Sequence, residues 1–392
     1  MVGGPFTRRC TGNQMTTSPD IAEFDLAKAN GWIMKGWDFS SEEVASALAH
    51  RQLLNPAMEL ASNVCPWNCA FCFTEDPSNP IGVKKRAATE LPLARRLELI
   101  DEVAALGARS VNVVGAGEPT IEAGFWQIAE RIASAGMVPI IYTEGSLRLV
   151  ERKFADRLHR LGATVVLKVN SLWNATWQNS VVTGPAPSKS LRRRGSGYSE
   201  LRNQALDHLI SAGFAVEVPT RLGFDTIACR HNLAELLELH RYCRNSNIFM
   251  LLVGYLPTGR SHAGTLDELT REELFDVFDK IADFDKTHFG LSHRSVFPYG
   301  GGTPCTIRGV GLHVKIDGRV FDCSGESVLL GNVSNHSLAE IWQRADQIRS
   351  EFDGQCKPRR DAWIAKAQAQ AQAKSAKRGL TQLRLGRSTK EL

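Results

Sequence analysis

From residue 57 onward the apolar positions follow two alternating rhythms. Short runs rich in β-branched and aliphatic side chains fall at Met58 to Ser62, Ser110 to Val114, Val138 to Thr143, Thr164 to Asn170, Ala215 to Pro219 and Phe249 to Tyr255, and each reads as a strand. Between the first two, Leu93, Leu97, Ile100 and Val103 recur at the spacing of one helix face, and Gly107 stands where a helix would end. Helical periodicity returns over 121–135, 148–161, 199–212 and 232–244, with Gly136, Gly162 and Gly213 after three of these stretches. Strand-helix alternation predicts a parallel sheet, because parallel neighbours need a crossover between them. A doubly wound sheet and an open β/α barrel both satisfy it, and both gather ligands at the carboxyl ends of the strands.

After a helix predicted near 270–287 the rhythm changes. His313 to Ile316 and Arg319 to Asp322 read as two strands joined by Asp317-Gly318, a hairpin signal in which both turn residues are expected at positive φ. Four segments follow: an N-terminal extension over 1–56 packing on the barrel, a β/α unit over 57–290, a smaller domain over 291–358 and a tail over 359–392. The Gly-, Pro- and Ser-rich loop from Asn179 to Tyr198 follows the fourth strand and is expected on the ligand side.

Composition narrows the classes. Hydrophobic residues at 43% and charged residues at 23% of 392 fit a globular chain. The longest apolar stretch, Ile248 to Leu256, is nine residues, about half the ~18 needed to span a bilayer. The N-terminus has no apolar core before a small-residue cleavage site, so a cytoplasmic protein without membrane partners is expected. The net charge of +5 hints at nucleic acid until it is divided: 357–392 carries ten Lys/Arg against two Asp/Glu, and the rest is slightly acidic. A solvated basic tail is the expectation there, with nucleic acid an unlikely partner.

Nine cysteines without a secretion signal point to metal or redox chemistry. Cys65, Cys69 and Cys72 form C-x3-C-x2-C just after the first strand. Three thiolates fall short of a structural zinc site, which takes four ligands. An iron-sulfur cluster on three cysteines keeps one iron open to another ligand.

This segment, with Phe71 before the last cysteine, resembles the signature of the radical S-adenosylmethionine superfamily over roughly residues 57–356. The resemblance implies a partial (β/α)6 TIM-like barrel and a 4Fe-4S cluster whose open iron chelates S-adenosylmethionine. An electron from the cluster, supplied by a partner such as flavodoxin or ferredoxin, would split the sulfonium to a 5'-deoxyadenosyl radical that takes a hydrogen atom from substrate. Gly115-Ala116-Gly117-Glu118-Pro119, after the second strand, is similar to the family's glycine-glycine-glutamate-proline loop, whose backbone and acid contact the cofactor's amino group. The third strand ends in Thr143-Glu144-Gly145 where relatives often carry Thr-Asn-Gly. Lys168 and Asn170 share one face of the fourth strand, so Asn170 or Ser171 could hold the ribose and Lys168 could reach substrate.

Cys305, the Gly-x4-Cys hairpin ending at Cys323, a Leu-Gly-Asn segment, Glu340-Ile341-Trp342 and Cys356 resemble the family's auxiliary-cluster extension, in its shorter α+β "twitch" form of the SPASM type. A second, auxiliary 4Fe-4S cluster is implied, on three cysteines, since Arg359 stands where relatives have another. Its open iron is left to substrate, water or a side chain such as Cys229 or Cys243; vestigial packing cysteines and a zinc site completed by His313 are the alternatives. Cys229, between the fifth strand and its helix, is a candidate hydrogen-atom donor, and Glu217 and Arg221 flank the end of that strand as candidate substrate or acid-base groups. The functional expectation is a radical oxidoreductase acting on a small polar metabolite such as a sugar or aminocyclitol. Maturation of a ribosomally made peptide ranks second, and nucleic-acid modification third.

Overall fold

The computed structural model describes residues 30–74, 87–183, 197–255, 266–293, 299–301, 305–325, 328–350, 356 and 368. Loop residues 184–196, with Arg192, Arg193 and Arg194, and almost all of the basic tail lie outside that set, as does Cys10.

Helix α1 (Ser41–Ala49) precedes six strands: β1 (Ala57–Ala61), β2 (Ser110–Gly115), β3 (Val138–Thr143), β4 (Thr164–Lys168), β5 (Leu222–Ala228) and β6 (Phe249–Gly254). All six pair parallel and in sequence order. Helices α2 (Leu93–Ala105), α3 (Phe125–Ser134), α4 (Arg152–Arg160), α5 (Ala175–Thr183), α6 (Tyr198–Ser211) and α7 (Leu236–Asn245) occupy the crossovers, and α8 (Arg271–Phe289) follows β6. Sequential order is the winding of a β/α barrel rather than of a doubly wound sheet. The barrel is open, because β6 does not pair with β1.

On its other edge β1 pairs parallel with β7 (His313–Val314), which continues antiparallel through β8 (Arg319–Phe321) and β9 (Leu329–Asn332). The C-terminal hairpin therefore extends the barrel sheet to nine strands. Its turn differs from the expected two-residue form. Only Gly318 has positive φ, at 88°, while the Lys315 amide donates to Arg319 O at 2.8 Å, giving a three-residue loop closed by a left-handed glycine.

Strand alternation sorts the core into two layers. Met58, Val111, Val113, Val165, Leu167 and Phe224 face outward and pack on Leu99, Ile100, Val103, Ile128, Leu158 and Leu209 of the helices. Ile140, Val166, Phe249 and Leu251 face inward, where they meet Met34 and Trp37 of the N-terminal segment together with Cys305, Ile307 and Cys323. Trp37 sits edge-on to Tyr142 and Tyr299, at 6.3 and 6.0 Å between ring centroids.

The fifth strand is displaced from its expected place. Ala215 to Pro219 form an irregular turn in which Val218 is 54% exposed, and the strand begins at Leu222. The alternation of Val216, Glu217 and Val218 imitates a strand, whereas the real one carries Gly223 and Asp225, residue types depleted in strands. A Cβ at Gly223 would lie 2.7 Å from Met34 Sδ, so any larger residue there would have to displace the Met34 side chain.

Candidate active site

A cavity of about 360 Å³ opens at the carboxyl ends of the strands. Cys65, Cys69 and Cys72 line it from the loop after β1, and Cys305, Cys323 and Cys356 line it from the C-terminal extension. Two cysteine sets separated by well over 200 residues in sequence thus face one space.

The first loop is held at both ends. Buried Arg96 on α2 donates to Leu60 O at 2.5 Å and lies 3.4 Å from Glu122, whose carboxylate accepts from the Ser62 amide at 2.7 Å. The Gly117 amide donates to Ser62 O at 3.1 Å and the Glu118 amide to Val64 O at 3.0 Å. A Cβ on Gly117 would stand 2.1 Å from Val64 O, and one on Gly115 1.9 Å from Gly117 O. These glycines are therefore required for backbone to meet backbone. Beyond the cysteines, Thr74 Oγ donates to Ala116 O at 2.9 Å, and the Ala70 amide to Val181 O at 2.8 Å.

Glu118 is buried on the cavity wall. Its Oε1 accepts from the Thr120 amide at 3.0 Å, Thr120 Oγ at 2.6 Å and Thr143 Oγ at 2.7 Å, while Oε2 accepts from the Glu144 amide at 3.1 Å. Glu144 is buried beside it and bonded to Ser146 through one carboxylate oxygen. Burial raises the pKa of both acids, and the charge of Glu118 adds to the rise at Glu144. Two acids on this wall suit a cationic ligand group.

Lys168 and Asp225 face inward from β4 and β5, 2.9 Å apart, and the Lys168 ammonium lies 4.6 Å from the centre of the Phe71 ring. Phe71, Gly115, Gly117, Glu118, Pro119, Thr143 and Lys168 all line the cavity. Asn170 and Ser171 do not; Asn170 Oδ1 accepts from the Ile227 amide, and Ser171 Oγ donates to Glu235. Cys229 is fully buried behind the wall among Trp67, Tyr198 and Tyr255, with its thiol 3.5 Å from Asn232 Oδ1. Cys243 lies in the outer core. Glu217 and Arg221 form a 3.1 Å pair, with Arg221 joining β5 at its amino end, so they do not flank the strand's ligand end as expected. Asp225, Tyr142 and Trp37 line the cavity and were missed by the sequence reading. Two-residue alternation back from Glu144 marks Tyr142, but Asp225 is found only once β5 is placed correctly.

The thiols fit iron-sulfur ligation. Burial raises Cys65 and Cys69 well above the ordinary thiol range, and the neighbouring cysteines raise them further. Burial, Asp322, Cys305 and Cys356 push Cys323 up to about 12. Such thiols are inert until a bound cation reverses the local electrostatics and holds them as thiolates. Among the described residues no three Cys, His, Asp or Glu could hold a single metal ion; a cluster instead takes one thiolate on each of several irons.

Comparison with known proteins matches residues 60–241 to the Radical SAM superfamily and residues 303–366 to the SPASM iron-sulfur cluster-binding domain. The chain is 25% identical over 301 residues to the mycofactocin maturase MftC of Mycolicibacterium smegmatis, covering 73% of this chain and 69% of that protein. It is 22% identical over 308 residues to the sporulation killing factor maturation protein SkfB of Bacillus subtilis, covering 76% and 67%. Its fold is similar to that of Streptococcus suis SuiB bound to precursor peptide SuiA, with a TM-score of 0.54 at 13% identity over 79% of this chain and 70% of that one.

Proposed function

We propose, from the premise that this chain belongs to the radical S-adenosylmethionine superfamily and carries its iron-sulfur cluster-binding C-terminal domain, that it is a maturase acting on a precursor peptide. The observation that carries the reading is that Cys65, Cys69, Cys72, Cys305, Cys323 and Cys356 line one cavity. A substrate in that space would touch both cofactor sites at once. The choice of peptide over the small polar metabolite first expected from sequence is supported by relatives named for maturation and by the precursor peptide bound to SuiB.

In this reading Cys65, Cys69 and Cys72 hold the first 4Fe-4S cluster, and Cys305, Cys323 and Cys356 hold the auxiliary one. When bound, the first cluster and S-adenosylmethionine supply a radical that removes hydrogen from substrate. Glu118, oriented by Thr120 and Thr143, would accept from the cofactor's amino group. Phe71 and the apolar wall of Val166, Leu251 and Val253 exclude water around the reacting groups.

The test is turnover by anaerobically reconstituted protein with S-adenosylmethionine, dithionite and the short peptides encoded beside its gene. A mass change in one peptide together with 5'-deoxyadenosine is expected. Cofactor cleavage that alters an aminocyclitol or sugar while every peptide stays unchanged would return the small-metabolite reading to first place.

A further inference from the structure

Inside the barrel, the Lys168–Asp225 pair lines the same cavity as the two cysteine sets, with Lys168 over the ring of Phe71 in the first cysteine loop. The two residues face each other in the β4–β5 register, with Lys168 Nζ 2.9 Å from Asp225 Oδ2. They are partly open, at 12% and 28% side-chain exposure, and both line the cavity. Around them the wall is apolar, formed by Val166, Ile227, Leu251 and Val253.

An ion pair that lines a cavity and is partly open, as this one is, keeps the donors and acceptors that it does not spend on itself for whatever enters. Among the described residues, Asp225 Oδ1 takes no hydrogen bond, and the Lys168 ammonium meets only Asp225 and the face of Phe71. One acceptor and spare N–H donors are thus presented side by side to the cavity. Their charges sum to zero, so an anion or a cation would have to break the pair. A neutral group carrying one donor and one acceptor would not, and the N–H and C=O that one residue of an extended peptide presents on the same side are such a set.

We propose that Lys168 and Asp225 form a substrate-positioning site that grips the backbone N–H and C=O of one residue of the extended peptide, which point to the same side of the chain: Asp225 Oδ1 accepts its N–H and Lys168 donates to its carbonyl. This rests on the peptide reading above. It fixes one residue of the chain against the barrel wall and so selects which neighbouring residue is presented for hydrogen removal.

The test uses the full reconstituted chain and the peptide it modifies. Asp225→Asn and Lys168→Met are each expected to raise KM for the peptide about 10- to 100-fold, the loss of one hydrogen bond to a charged group. Iron content and affinity for S-adenosylmethionine, measured by equilibrium dialysis, stay within about twofold. A second arm needs no variant: peptides N-methylated at one backbone position at a time should show a single position with a comparable rise in KM, and Asp225→Asn should abolish that difference. Unchanged KM in the variants, no sensitive position in the methyl scan, or a loss of cofactor affinity in place of peptide affinity would overturn the proposal. A wild-type enzyme that cleaves cofactor but modifies no peptide removes the peptide reading itself, and this site with it.

Discussion

The amide of Glu118 donates to the carbonyl of Val64 at 3.0 Å, so the loop after β2 is joined to the residue directly before Cys65. The adjoining glycine is the tightest point of that junction. Gly117 does not need a left-handed backbone, and its constraint is purely steric, a Cβ at 2.1 Å from Val64 O. Gly117→Ala is therefore expected to push the two loops apart, costing about 1–3 kcal/mol as an overpacking change. Reconstituted Gly117→Ala protein should fold but hold less iron than wild type. Wild-type iron content in that variant would show that the cysteine loop tolerates the displacement.

The other end of the same loop hangs on Arg96. Its buried guanidinium reaches Leu60 O and Glu122, and Glu122 in turn accepts from the Ser62 amide. Arg96→Met removes the guanidinium that lies 3.4 Å from the buried Glu122 carboxylate, a loss worth roughly 3–5 kcal/mol. Glu122→Gln in the same chain should recover part of the loss, because the buried negative charge beside the lost guanidinium goes with it. Urea unfolding of the two single variants and the double variant measures the coupling. Additive losses would mean that the two residues act independently.

Much of this was legible in sequence where local pattern and tertiary role agree. Strand β3 lies at its expected bounds, and Gly107, Gly136, Gly162 and Gly213 end their helices at positive φ, because each signal is local. The C-x3-C-x2-C loop and the Gly115 to Pro119 loop were legible because their spacing is short. Where tertiary packing overrides propensity the reading failed: Gly223 and Asp225 look unlike a strand, yet the crowded and polar barrel interior accommodates them. The continuation of the barrel sheet through β7 was equally hidden, since pairing between Ala57 and His313 leaves no trace in either segment alone.

Metal content should divide between the two cysteine sets. Anaerobic reconstitution is expected to give about eight irons per chain, and about four after Cys65, Cys69 and Cys72 are all changed to Ala. That triple variant should make no 5'-deoxyadenosine with dithionite. The Cys305, Cys323 and Cys356 triple variant should also fall to about four irons, yet keep cofactor cleavage while losing turnover of substrate. Cleavage retained by the first triple variant would reject the assignment of its three thiols.

Glu59 gives the fold an acid-sensitive joint between the barrel and the hairpin. It is fully buried on β1, 3.4 Å from His313 and 3.8 Å from Lys315, and it accepts from the Ile316 amide at 2.9 Å. Burial alone would raise its pKa, but the hydrogen bond and charge of His313, the charge of Lys315 and the Ile316 amide outweigh it and bring the carboxyl from 4.5 down to about 2. The folded state then binds this proton less readily than the unfolded one. The stabilisation is present above pH 4.5 and is lost as pH falls toward 2. A shift of that size corresponds to stabilisation on the order of 3 kcal/mol. Glu59→Gln should unfold more easily than wild type at pH 7, and the gap should narrow as the pH is lowered through 4 to 3, a window set by the two pKa values. Unfolding free energies from urea titrations across that range check the sign, and a gap that stays constant with pH would place the acid sensitivity elsewhere.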